Sequence, residues 1–99
     1  MHSKDPNLYL FLKGKDLDET VDKCIEFIEK MEYDHAEEWV NNKLNKDFFN
    51  PVLLALLGLI KEKSSNFSEA FNYYSDAWKL LSLKDQQALY LIKKEIFDL

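Results

Sequence analysis

Ala36 and Ala70 stand 34 residues apart, each three residues after an aromatic (Tyr33, Phe67) and four before a large apolar residue (Val40, Tyr74). A period of that length in helix-forming sequence means one supersecondary unit used twice, which restricts the chain to stacked helical hairpins. A single hairpin of this kind cannot cover its own apolar faces, so neighbouring units and terminal helices must close them. The expected fold class is all-α.

Local punctuation divides the chain into six expected helices. Asp5 and Pro6 supply a cap and a first position for a short helix through Lys13, with Gly14 as its stop. Asp16 or Asp18 opens the second, in which Val21, Cys24, Ile25 and Ile28 fall at i, i+3, i+4, i+7. Asp34 caps a third from His35 to about Leu44, Asn50-Pro51 opens a fourth, and Ser68 opens a fifth after the polar break Lys63-Ser64-Ser65-Asn66. Lys84-Asp85 opens a sixth that runs to the C-terminus with Ala88, Leu89, Ile92 and Ile96 on one face.

The second copy of the period carries Leu54, Leu57, Gly58, Phe67, Ala70, Tyr74 and Ala77 in one register. This stretch resembles the tetratricopeptide repeat, with Lys61 standing where that family usually has an aromatic. In the first copy Cys24, Phe27, Tyr33, Ala36 and Val40 fit, while Thr20, Lys23 and Lys43 depart from the pattern. The organisation implied is an N-terminal helix or arm over 1–16, a first repeat over 17–50, a second over 51–84, and a capping helix over 85–99. Small residues of such hairpins sit where two helices cross closely, and Gly58, Ala70 and Ala77 are the candidates. A weaker resemblance, in Gly58–Lys63, Asn72-Tyr73-Tyr74 and Ala77-Trp78-Lys79, is to repeats of large ciliary-transport tetratricopeptide subunits.

Composition narrows the function. All thirteen basic residues are Lys against eighteen acidic ones, a net charge of -5, and without Arg the forked contacts to phosphate and guanine are missing; nucleic acid is not an expected partner. The single Cys24 cannot form an internal disulfide and lies on an apolar stripe, which suits a core thiol in a reducing, cytoplasmic setting. No segment approaches the roughly 18 apolar residues of a membrane span, the longest run being Val52 to Ile60. His2 and His35 form no metal-ligand spacing, and no phosphate loop or nucleophile elbow is present. No catalytic residue, metal or cofactor is assigned, and the chain reads as a binding protein.

In the resembled family the first helix of each repeat lines a concave groove that holds peptides. Carried onto this chain, that lining is Asp18, Val21, Ile25 and Ile28, then Val52, Ala55, Leu59 and Glu62, then Gln86, Leu89, Lys93 and Ile96. The positions of a carboxylate clamp carry Val21, Ile25, Leu56, Gln86 and Tyr90, which offer no fixed cation. The resemblance therefore implies an adaptor that takes an apolar or amphipathic segment of a protein partner, or the chain's own Leu8–Leu12, in the groove formed by Val21, Ile25, Ile28, Val52, Ala55, Leu59, Glu62, Leu89 and Lys93. Each of these side chains is otherwise plain core. The alternative role is a structural piece of a larger assembly, and normal binding by a Leu59→Lys variant would put the partner on the convex face or the edge near Trp39 and Trp78 instead. On the groove reading Leu59→Lys lowers binding more than stability.

Because Ala70 is placed at a close crossing, Ala70→Leu is expected to cost about 1–3 kcal/mol by overpacking. Thermal melts of the variant check this, and an unchanged midpoint would remove the repeat register.

Overall fold

The computed structural model describes residues 6–98, and over that range the chain is helical throughout: α1 Pro6–Leu12, α2 Asp18–Glu29, α3 Tyr33–Leu44, α4 Pro51–Lys63, α5 Phe67–Lys79, α6 Leu83–Ile92 and α7 Lys94–Phe97. Short turns join α2 to α3 and α4 to α5, so each pair is a hairpin, and α3 packs on α4 to join the two. α6 and α7 pack against α5, while α1 packs between α2 and α6.

The 34-residue spacing is written into the backbone. At the end of α2 the Met31 N–H donates to the Ile28 carbonyl (2.9 Å) and the Glu32 N–H to the Phe27 carbonyl (2.9 Å); at the end of α4 the Ser65 N–H donates to Glu62 (3.0 Å) and the Asn66 N–H to Lys61 (2.7 Å). Both are Schellman turns, closed through a left-handed residue: Met31 at φ 59° and Ser65 at φ 67°. Each turn passes straight into the next helix through a bond from the alanine N–H, Ala36 to Glu32 and Ala70 to Asn66, both 3.0 Å. That is why α3 and α5 start at Tyr33 and Phe67 rather than after Asp34 and at Ser68, as the capping signals suggested. Asp34 lies in the first turn of α3, and Asn66 donates its side-chain N–H to Glu69 (2.9 Å).

Other boundaries follow local chemistry. Asn50 caps α4 by accepting from the Val52 N–H (2.9 Å), with Pro51 in the first position. Asp18 is the first residue of α2, and its carboxylate accepts the Gly14 N–H (2.7 Å) across a loop in which Gly14 and Asp16 both have positive φ. Ser82, not Lys84 or Asp85, precedes α6 and accepts from the Asp85 N–H (3.4 Å). The expected single C-terminal helix is broken at Lys93, giving α6 and α7. The proposed Asp5 cap lies outside the described residues.

α4 is the centre of the molecule. Nine consecutive residues, Val52 to Ile60, are buried on every side of it, against α2, α3 and α5. Its closest approach is at Gly58: an added Cβ would lie 2.8 Å from Cδ1 of Tyr74, so the Tyr74 ring rests directly on the backbone of α4. Ala36, Ala70 and Ala77 are wholly buried at the helix contacts. Lys61 points out of the end of α4 to Glu37 of α3 (3.2 Å) and Glu69 of α5 (3.4 Å). Burial alone would lower the Lys61 pKa; the hydrogen bond and charge of Glu37, with the charge of Glu69, raise it above its usual value. An ion pair thus joins three helices where the resembled family uses an aromatic.

Gly58→Ala gains helix propensity of about 1 kcal/mol but drives a methyl into the Tyr74 ring, so a net loss of roughly 1–3 kcal/mol is expected. Adding Tyr74→Leu should recover part of it, and a denaturation double-mutant cycle reads the coupling.

Candidate functional site

The concave positions inferred from the sequence do not form an open groove. Val21, Ile25, Ile28, Val52, Ala55, Leu59 and Leu89 are all buried, in one cluster that also contains Leu8 and Leu12 of α1. Leu8 and Leu12 fill the space between α2 and α6, and polar contacts hold α1 there. Tyr9 donates its hydroxyl to Asp22 of α2 (2.9 Å), Lys13 pairs with the same carboxylate (3.1 Å), and Lys15 reaches Asp85 of α6 (3.6 Å). The hydrogen bonds to Tyr9 and Asp22 raise the Lys13 pKa. Leu59, 2% exposed, is therefore a core residue whose replacement by Lys attacks folding directly.

Glu62 and Lys93, the polar positions of the same inferred lining, meet each other. Lys93 Nζ lies 2.9 Å from Glu62 Oε1, the Tyr74 hydroxyl donates to that oxygen (2.9 Å), and the Lys93 ammonium sits 5.6 Å from the centroid of the Tyr74 ring. Lys93 is 3% exposed, and the pull of its head group into the interior coincides with the break between α6 and α7. Below the break Phe97 turns back onto Phe71, Tyr74 and Tyr90, with centroids 6.2, 6.5 and 5.9 Å away. The cluster locks α7 to α5 and is structural in character. Cys24 is also fully buried, and desolvation pushes its thiol up to about 12, which keeps it protonated and unreactive at neutral pH.

The open concavity lies on the other side of α6. A groove of about 670 Å³ runs between α5 and α6 and is closed at one end by α7; Phe71 and Trp78 form one wall, Leu83, Tyr90 and Leu91 the other, and Phe97 the end. Leu83 and Leu91 are exposed to 71% and 69%. Trp78 and Gln86 hold the two walls in register, since the indole N–H donates to the Gln86 carbonyl (3.1 Å) and the Gln86 amide donates to the Trp78 carbonyl (2.9 Å). Among the described residues of the lining, Lys79 alone is charged. Of the edge named beside Trp39 and Trp78, the Trp78 end opens into this groove, whereas Trp39 is half-buried with its indole N–H on the Thr20 carbonyl (3.4 Å). Gln86 and Tyr90 were named from sequence only as positions of the inner groove and its clamp, and Leu83 and Leu91 were not named as a docking face, although a signal was present: Leu83, Tyr90 and Leu91 at i, i+7, i+8 lie opposite Leu89, making α6 apolar on two faces.

Around His35 the surface offers little chemistry. The ring faces solvent and its Nδ1 lies 3.1 Å from Glu32 Oε1. Among the described residues no group of three or more His, Cys, Asp or Glu side chains is arranged to hold a metal ion, and no helix is long and apolar enough to cross a membrane.

Removing one partner of the buried pair leaves the other charge uncompensated, so Lys93→Met and Glu62→Leu should each destabilise, by about 2–4 kcal/mol after allowing for the partial exposure of Glu62. The double variant should recover most of that loss in a denaturant titration, because the charge to be solvated is then gone.

In comparisons with known proteins, the chain matches no family model, no curated protein and no solved structure.

Proposed function

We propose that this chain is a non-catalytic protein-interaction module of tetratricopeptide-like build, and that it docks an apolar or amphipathic segment of another protein molecule in the α5–α6–α7 groove. One observation carries the reading: the groove exposes aromatic and aliphatic side chains side by side in a rigid concavity, while the concave face usual for such repeats is filled by α1. Contiguous exposed apolar surface rimmed by polar groups marks interaction sites, and burying Trp, Tyr and Leu side chains is what such docking gains. The tetratricopeptide assignment is supported by the paired Schellman turns 34 residues apart and by the small residues Gly58, Ala70 and Ala77 at the helix contacts.

α6 also bears on the alternative role as a piece of a larger assembly. A terminal helix that only closes a stack needs a polar outer face. Leu83 and Leu91 give this one an apolar outer face, which favours contact with a further molecule. Both readings place the contact on the same surface.

Leu91→Lys puts a charge on that surface where the free chain solvates it without strain. Capture of binding proteins by the immobilised chain should fall at least about tenfold, as for loss of an interface anchor, with a melting midpoint close to that of the wild type. Unchanged capture by Leu91→Lys would move the docking surface elsewhere.

A further inference from the structure

Resting on the reading of the groove as a docking surface, we infer that its occupant is α6 of a second copy of this chain, in an antiparallel pair with Gln87 on the two-fold axis. The outer stripe of α6 is Leu83, Gln87, Leu91, spaced four and four, and it reads the same in both directions. Laid antiparallel on itself, the stripe sets Leu83 of one copy against Leu91 of the other at both ends, and brings the two Gln87 side chains together between them. A two-fold contact requires this kind of self-complementarity, with one patch serving as both surfaces.

The pairing satisfies both copies at once. α6 is a wall of the groove and its outer face is uncovered among the described residues, so seating it between α5 and α6 of a second molecule covers both outer faces. Phe71 and Trp78 of each copy then flank the helix that enters. The stripe spans nine residues, Leu83 to Leu91, a rise of roughly 12 Å or a little over two turns, and the aromatic flanks supply the rest of the contact. At the centre, the two Gln87 amides can each donate to and accept from the other. A polar pair at one interfacial position fixes register and orientation.

Charge does not oppose the contact, although each chain carries a net charge of -5. Three acidic residues of these helices are matched within their own chain: Asp85 to Lys15 (3.6 Å), Asp98 to Lys94 (2.6 Å) and Asp76 to Lys79 (4.0 Å). The exposed Lys84 and Glu95 lie outside these pairs, and charges on the two copies are screened beyond about 8–10 Å at physiological salt.

Sedimentation of the intact chain across micromolar to near-millimolar concentrations tests the proposal, with variants that are exposed in the single copy and so do not disturb folding. The expected result is a reversible species of twice the chain mass. Leu91→Glu should abolish it, and Gln87→Glu and Gln87→Lys should each weaken it by roughly tenfold or more through like charges on the axis. Mixing those two variants should restore pairing, as a heterodimer. A chain that stays monomeric throughout overturns the proposal, as does a dimer indifferent to Leu91 and Gln87 or a Glu/Lys mixture that fails to pair. If the chain is monomeric while Leu91→Lys still loses capture of other proteins, the groove remains a docking surface and only the self-pairing is wrong.

Discussion

The ring of Tyr74 lying on the backbone of α4 at Gly58 is the contact on which the rest of the arrangement depends. Only a residue without a side chain admits an aromatic there, and its admission brings α5 close enough for the neighbouring helix contacts to use Ala70 and Ala77. The same ring presents its hydroxyl to Glu62, which holds Lys93 at the junction of α6 and α7. One side chain therefore sets the α4–α5 distance, anchors the junction, and offers Phe97 a surface to turn back on. The closed end of the outer groove is a consequence of that chain of contacts.

Two apolar surfaces, with opposite fates, follow from how α4 and α6 are covered. On the inner side α1 inserts Leu8 and Leu12 and is tied down through Asp22 and Asp85, so the side chains facing it are core. On the outer side nothing among the described residues covers Leu83 and Leu91, and Tyr90 stays partly open beside Phe97. A folded chain of this size leaves much apolar surface exposed as a matter of course, but scattered residues differ from a walled groove. Here Trp78 and Gln86 clasp the two walls in a fixed relation, so the exposed aromatics are presented in a set geometry and lose little freedom on contact.

Most of the architecture was legible in the residues because it rests on local chemistry. Asn50-Pro51 opens its helix as capping rules require, and the spacing of Ala36 and Ala70 reappears in turns with matching hydrogen bonds. Helix starts after the tight turns were misplaced by one or two residues, since Schellman geometry hands the chain directly into the next helix and overrides the preference for a side-chain cap. The break at Lys93 was not legible, because it coincides with a long-range pairing to Glu62 that no local pattern announces. The open site was hidden for a related reason. A periodic stripe says that a helix has an apolar face, but only the packing of α1 and α5 decides which face of the stack stays uncovered.

Photo-crosslinking offers the most direct test of the claim that the outer α5–α6 face meets another protein molecule. Leu91 on α6 and Leu10 on the outside of α1 are equally exposed, at 69% and 70%, so accessibility alone does not distinguish them. With a photoreactive amino acid placed at either position in the purified chain, the account predicts an intermolecular product from position 91 and none from position 10. Crosslinking from position 10 alone, or from neither, would contradict it.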